Sequence, residues 1–406
     1  MSLVDTPVLR TRFKTLSVIG DEGFRLFFPL SAVYAAVWPF LWVVIHGYDL
    51  PLVGAIPPSI WHVHEMIIGA FGAALLGFIT TAIPEWTDTP RLRGKALYAL
   101  AAIWTVARIC GLAGTDGLLW TGAITDIVWT GFLAAYVLRV SIYKKNSRLT
   151  GFILWLAALW LCETATRYAF AIGNGEHAQL FSHLSGFIFL GLLGLALARI
   201  TVPVTNDILD PSGATSPFRP HPGRLNLAPG IMAVAIAAEL LGFSAEVTGF
   251  VFIAAGAAFL DRVAEAFVGR AFFRAEIAVL AGSSALAGTG LIAIGCARLG
   301  LPVMETTGLH VALMGGLGLG IIAVFCIAGL RHTGQPLIFS AETRIAIAMI
   351  VIAIAIRALP ELGIVSELVG HHHAVAAIFW AGGFLLWLRV YWPAFADPAT
   401  LNQHDC

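Results

Sequence analysis

His62, His64 and Glu65 sit together in PSIWHVHEMIIGAFGAALLGFITTAIPEWTDTP (58–90), a stretch otherwise apolar enough for a membrane interior. Imidazole nitrogens suit copper, haem iron, zinc and nickel. A carboxylate beside them can orient a ligand or carry protons, which makes Glu65 the candidate catalytic residue. Further histidines, His183, His310 and the triplet His371, His372 and His373, also stand near the starts of apolar runs. A helix N-terminus disfavours a protonated imidazole, and the neutral ring is the form that ligates a metal. Consecutive helical side chains diverge by ~100°, so at most two of the triplet serve one metal, with His373 the deepest. His62 and His64 diverge likewise, whereas His62, Glu65 and Met66 share a face. The candidate metal ligands are therefore His62, His64, His183, His310, His372 and His373. His46 and His177 read instead as hydrogen-bonding partners of neighbouring helices. None of the five cysteines forms CxxC or CxxCH, which argues against thiolate metal sites, iron–sulfur clusters and c-type haem.

The elements that must position these groups are membrane helices. Hydrophobic residues make up 58% of the 406 and charged ones 12%, half the roughly 25% of a soluble domain. Lys+Arg and Asp+Glu balance at 24 each, so no nucleic-acid partner is implied. The N-terminal residues show no cleavable signal. A crossing needs about 20 apolar residues, and that ruler predicts an all-α polytopic protein of about twelve transmembrane helices. They fall near 27–46, 60–83, 96–113, 117–140, 149–172, 177–203, 227–243, 246–268, 273–296, 304–330, 342–360 and 368–393. The chain reads as one membrane domain, 1–406, with possible halves 20–203 and 227–393 joined by a cytoplasmic loop, 204–226.

Arg and Lys gather on the cytoplasmic side. All but four of the 24 fall at the termini or beside the even-to-odd loops, as Arg91, Arg93 and Lys95 do, which puts both termini inside. Nine of the twelve histidines then face outward. The four exceptions, Arg108, Arg167, Arg298 and Arg357, lie near outer helix ends. They either snorkel to headgroups or hold acidic groups such as haem propionates. On the second reading Arg108, Arg298 and Arg357 bind cofactor. Arg167 has Glu163 four residues earlier, the spacing of a structural ion pair. Glycines such as Gly69, Gly72, Gly77, Gly186, Gly315, Gly316, Gly318 and Gly320 leave room for a flat macrocycle or serve close helix packing.

Two internal echoes stand out. HLSGFIFLGLLGLALARI (183–200) matches HAVAAIFWAGGFLLWLRV (373–390), and WHVHEMIIGAFG (61–72) matches LHVALMGGLGLG (309–320). Their offsets differ, so they establish no simple repeat.

WHVHEMIIGAFGAALLGFITTAIPEWT, LHVALMGGLGLGIIAVFCIAGLRHTGQPL, GFRLFFPLSAVYAAV and ARITVPVTNDIL together resemble the NnrS family of bacterial inner-membrane proteins, from about residue 20 to 390. The resemblance implies a multi-pass protein of the bacterial inner membrane that binds haem b and copper and acts on nitric oxide by binding, detoxification or reduction. Its metal sites would lie toward the periplasm, and the lipid bilayer and an unidentified electron donor would be its other partners. It points to His62, His64, Glu65, His310 and His332, the last an inner-side residue read here as a helix-end cap. A nitric oxide reductase-type oxidoreductase is one outcome. The alternatives are a twelve-helix transporter using Asp126, Glu163 and Glu239, or a haem/copper delivery factor.

Overall fold

The computed structural model describes residues 15–48, 57–113, 116–365 and 372–401. Among them the long elements are all helical, and each segment expected to span coincides with a helix. In chain order these are α1 (Gly23–Tyr48), α2 (Pro58–Thr87), α3 (Lys95–Ala113), α4 (Leu119–Lys144), α5 (Thr150–Ala171) and α6 (Gly175–Leu209). Then come α7 (Leu227–Leu240), α8 (Ala245–Asp261), α9 (Ala275–Arg298), α10 (Glu305–Arg331), α11 (Ala341–Ala358) and α12 (His372–Ala396). Ten of the helical segments in the described residues are long and apolar enough to cross a membrane; α3 and α11, of 19 and 18 residues, are not among them. Helix α6, at 35 residues, is roughly 52 Å long and outruns a hydrocarbon core of ~30 Å.

Proline and serine set the helix starts. Pro58 opens α2 behind Pro57, which occupies the cap position. Ser59 lies inside the first turn, because a proline at the first position already has the helical φ. Ser244 and Ser340 cap α8 and α11, accepting from the Val247 and Thr343 amides.

Two compact units emerge. The first takes in the described residues up to Ser182, together with Ala328–Pro336 and those from Leu385 onward. Here α1 packs on α2, α3 on α4 and α4 on α5, around Phe24, Phe27, Phe28, Trp38, Phe71, Trp129 and Phe152. Buried Arg25 donates to the Phe395 and Thr400 carbonyls at 3.1 and 2.8 Å and to Glu22 at 3.1 Å. It thereby satisfies a carbonyl in the last turn of α12 and one in the short turn that follows it.

The second unit comprises His183–Ile327 and Leu337–Phe384. Its tightest contact joins α8 and α9 through Gly249 and Gly256 against Gly288 and Gly295, seven residues apart on each helix. A Cβ on Gly256 would sit 2.5 Å from the Gly288 carbonyl oxygen, and one on Gly295 would sit 2.4 Å from that of Gly249. Backbone cannot yield as a side chain can. Gly256→Val is therefore expected to destabilise the chain by about 1–3 kcal/mol, whereas Gly230→Val on α7, which meets open space, should leave the melting temperature unchanged.

One echo has a structural counterpart. Residues Glu65–Phe71 of α2 and His310–Gly318 of α10 are π-helical, and both lie within the matched twelve-residue blocks. Such turns recur at functional sites. They shift the carbonyl ladder, and side chains from neighbouring helices bond there. Ser31 and Trp104 donate to the Ala70 and Gly69 carbonyls at 2.7 and 3.1 Å. In the other unit Ser283 donates to Gly316 at 2.7 Å.

Candidate functional site

In the first unit the π turn of α2 carries Glu65 into a fully buried ion network. Glu65 accepts from the Tyr34 hydroxyl on α1 and from Arg108 Nη1 on α3, the latter at 2.7 Å. Arg108 Nη2 reaches Asp126 on α4, and so does Arg167 Nη2 from α5. Trp129 Nε1 donates to the other Asp126 oxygen at 2.6 Å. Arg167 Nε binds Glu163 at 2.9 Å, the i,i+4 pair expected from sequence. His64 closes the ring: Nδ1 lies 3.0 Å from Glu65 Oε1, and Nε2 lies 3.0 Å from Glu163 Oε1. His64, Glu65, Arg108, Asp126, Glu163 and Arg167 are each 3% exposed or less, and Tyr34 is 8% exposed.

In the second unit the first turn of α10 faces the residue after Pro360. Thr307 Oγ1 donates to Glu361 Oε2 at 2.7 Å, and Arg357 binds the other oxygen, Oε1. Burial pushes the Glu361 carboxyl up, but the Thr307 hydroxyl and the Arg357 guanidinium outweigh it and hold the group below its ordinary range. His310, three residues after Thr307 on the same face, places Nδ1 2.8 Å from the Thr306 carbonyl. That carbonyl can only accept, so Nδ1 carries the proton and Nε2 keeps its lone pair. His372 and His373 open α12 with ring centroids 3.9 Å apart. Ligand atoms of Glu361, His372 and His373 all lie within 4.8 Å of one another, close enough to hold one metal ion. His372 Nε2 is buried, with no hydrogen-bond partner among the described residues. A lone pair so placed is what a metal would satisfy.

The model of the NnrS protein family matches residues 19–398. The chain belongs to the NnrS family. Among curated proteins and among solved structures, nothing matches it. The NnrS match spans both π-helical blocks and every charged residue of the two clusters.

The histidines singled out in this NnrS chain fall into distinct surroundings. His372 and His373 come together, joined by Glu361, which sequence reading missed. His371 lies outside the described residues, as do His404 and the side chain of His46. His64 is engaged by carboxylates at both nitrogens, although ligand atoms of His64, Asp126 and Glu163 also lie within 4.8 Å of one another, close enough for a metal ion. His62 turns instead to Trp42, with ring centroids 4.8 Å apart. His183 on α6 lies within the electrostatic reach of Glu305 and Arg298. His332 Nε2 is 3.5 Å from Glu85, and its ring lies 5.1 Å from that of Phe24.

The four exceptional arginines share one role. Arg298 binds Glu239 and Glu305, so Arg108, Arg167, Arg298 and Arg357 all hold carboxylates of the protein itself. Arg108 and Arg167 are too buried to snorkel. Several glycines read as macrocycle room are already filled: Tyr34 and Arg108 occupy the space at Gly69, Trp129 that at Gly72, Ala287 that at Gly316 and Trp380 that at Gly318. These glycines serve close helix packing. Glu361 did leave a sequence signal, since it follows Arg357 by four residues.

Proposed function

We propose that this NnrS-family chain is a twelve-span protein of the bacterial cytoplasmic membrane, with both termini inside, that binds copper and haem b near the periplasmic face and acts on nitric oxide. The observation that carries the reading is the Glu361–His372–His373 cluster, with a buried His372 Nε2 that has no hydrogen-bond partner among the described residues. Two imidazoles and a carboxylate suit copper. Thr307 and Arg357 fix and charge-balance the carboxylate, as outer partners of metal ligands do. His310, whose Nδ1–H is tied to backbone so that Nε2 keeps its lone pair, is the residue suited to haem. Haem iron with an open position supplies a binding site for nitric oxide. His64, engaged at both nitrogens, and His62, against Trp42, stand outside this ligand set. Nitric oxide is small and apolar and partitions into lipid, so a centre at the outer helix ends is within its reach. Binding or detoxification needs only these groups. Reductive coupling of two nitric oxide molecules would further draw two electrons from a donor and two protons, with Glu65 a candidate carrier.

The test is a visible spectrum and a metal analysis of the detergent-purified full chain. A Soret band that shifts under nitric oxide, with copper present, is expected, and His310→Ala should lose the band while retaining copper. A folded, colourless, metal-free protein would overturn the reading and favour transport.

A further inference from the structure

The ion network of the first unit supplies no ligand to the proposed metal centre, yet it is the largest polar investment among the described residues. Its charges can be counted. Two guanidiniums, Arg108 and Arg167, face three carboxylates, Glu65, Asp126 and Glu163. The balance is one negative charge in a place shielded from water and from ions. Uncompensated charge there is very costly. The remaining member is His64, and its two ring nitrogens each face a carboxylate oxygen at 3.0 Å. A neutral imidazole has one donor and one acceptor nitrogen, and its acceptor would oppose a carboxylate. The doubly protonated ring donates in both directions and brings the cluster to zero net charge.

We propose that His64 is an imidazolium and that this network is a proton-holding site, storing one exchangeable proton between Glu65 and Glu163. Arginine supplies fixed positive charge at two positions of the ring, whereas the third cation is the residue type that can give its charge up. Movement is local and conserves charge. The Nε2–H bond breaks, an O–H bond forms on Glu163, and a neutral imidazole then faces a neutral acid. Among the described residues the ring is formed by Tyr34 from α1, Glu65 from α2, Arg108 from α3, Asp126 from α4, and Glu163 and Arg167 from α5, and the Cys110 thiol on α3 stands within electrostatic reach of Arg108, Asp126 and Arg167. The Tyr34 hydroxyl, donating to Glu65, fixes the second carboxylate and leaves its other oxygen for Nδ1–H.

The experiment uses the full chain in lipid nanodiscs, stripped of metal, with isotope-labelled histidine read by infrared or nitrogen resonance. Subtracting the His64→Gln spectrum isolates the His64 ring. An imidazolium signature at pH 7.5 is expected. It should be lost on alkaline titration with release of one proton per chain that His64→Gln does not release. His64→Gln should lower the melting temperature by several degrees, and the charge-balanced pair H64Q/E163Q should recover most of that loss. A neutral imidazole signature at pH 7.5, or an H64Q/E163Q chain no more stable than H64Q, overturns the charge assignment. An imidazolium that persists until the chain unfolds overturns the exchangeable store and leaves a fixed structural cation. None of these readouts requires haem, copper or nitric oxide, so their failure is separate from failure of the proposed function.

Discussion

Arg108→Leu is expected to be the most damaging single substitution in the first unit. The guanidinium is 2% exposed and bonds Glu65 and Asp126 on two other helices. Leucine fills similar space but leaves two buried carboxylates short of a cation. Breaking a buried ion pair by removing one partner costs about 3–5 kcal/mol, and folded chains hold only about 5–15 kcal/mol in reserve. The variant should therefore accumulate poorly, and any purified protein should melt well below the parent. Neutralising one stranded acid should recover part of the loss, so Arg108→Leu with Glu65→Gln should be more stable than Arg108→Leu alone. Arg298→Leu provides the contrast. Its side chain and that of Glu239 are each 14% exposed, and Glu305 is 38% exposed, so water screens the charges left behind. A loss nearer 1 kcal/mol is expected there. Thermal denaturation in one detergent compares all three, and equal losses at Arg108 and Arg298 would show that the network does not carry its charges dry.

The sequence makes the helices legible because hydropathy alone decides them: a polypeptide in lipid must satisfy its backbone internally. It makes the Glu163–Arg167 pair legible because i,i+4 spacing is a local property. It does not reveal that Asp126 joins both arginines, since that contact spans 18 residues in one direction and 41 in the other. Nor does it reveal the π turns. Residue propensities distinguish helix from strand, but they carry no mark for a widened turn, which here depends on Ser31, Trp104 and Ser283 from other helices. Glu361 lies just beyond Pro360, where the apolar pattern ends, and its tie to Thr307 crosses 54 residues. The four arginines apart from the basic loops stand out in the sequence, but their partners, carboxylates of the same chain, do not, although a buried guanidinium needs a counter-charge wherever it sits.

The second large effect concerns the proposed metal cluster, and it separates ligands from their supports. His373→Ala or Glu361→Ala removes one of three donors held within 4.8 Å of each other, and either should abolish stoichiometric metal in the purified chain. His372→Ala removes the donor whose Nε2 has no hydrogen-bond partner among the described residues; it should lose metal as fully without losing stability, because no hydrogen bond seen at that atom is sacrificed. Thr307→Val is the graded case. Valine is close in shape to threonine but cannot donate to Glu361, whose hydroxyl partner stands at 2.7 Å. A carboxylate freed on one side keeps its charge through Arg357 and loses its orientation. Loss of such an outer partner typically weakens metal binding by about 10–100-fold, so Thr307→Val should bind copper measurably but more weakly, with an unchanged ligand count by spectroscopy. Titration of the chelated protein with copper, read by absorbance and elemental analysis, ranks the four variants. If His372, His373 and Glu361 variants all retain the parent's affinity, the cluster holds no metal, and the imidazoles of α12 only decorate the end of a helix.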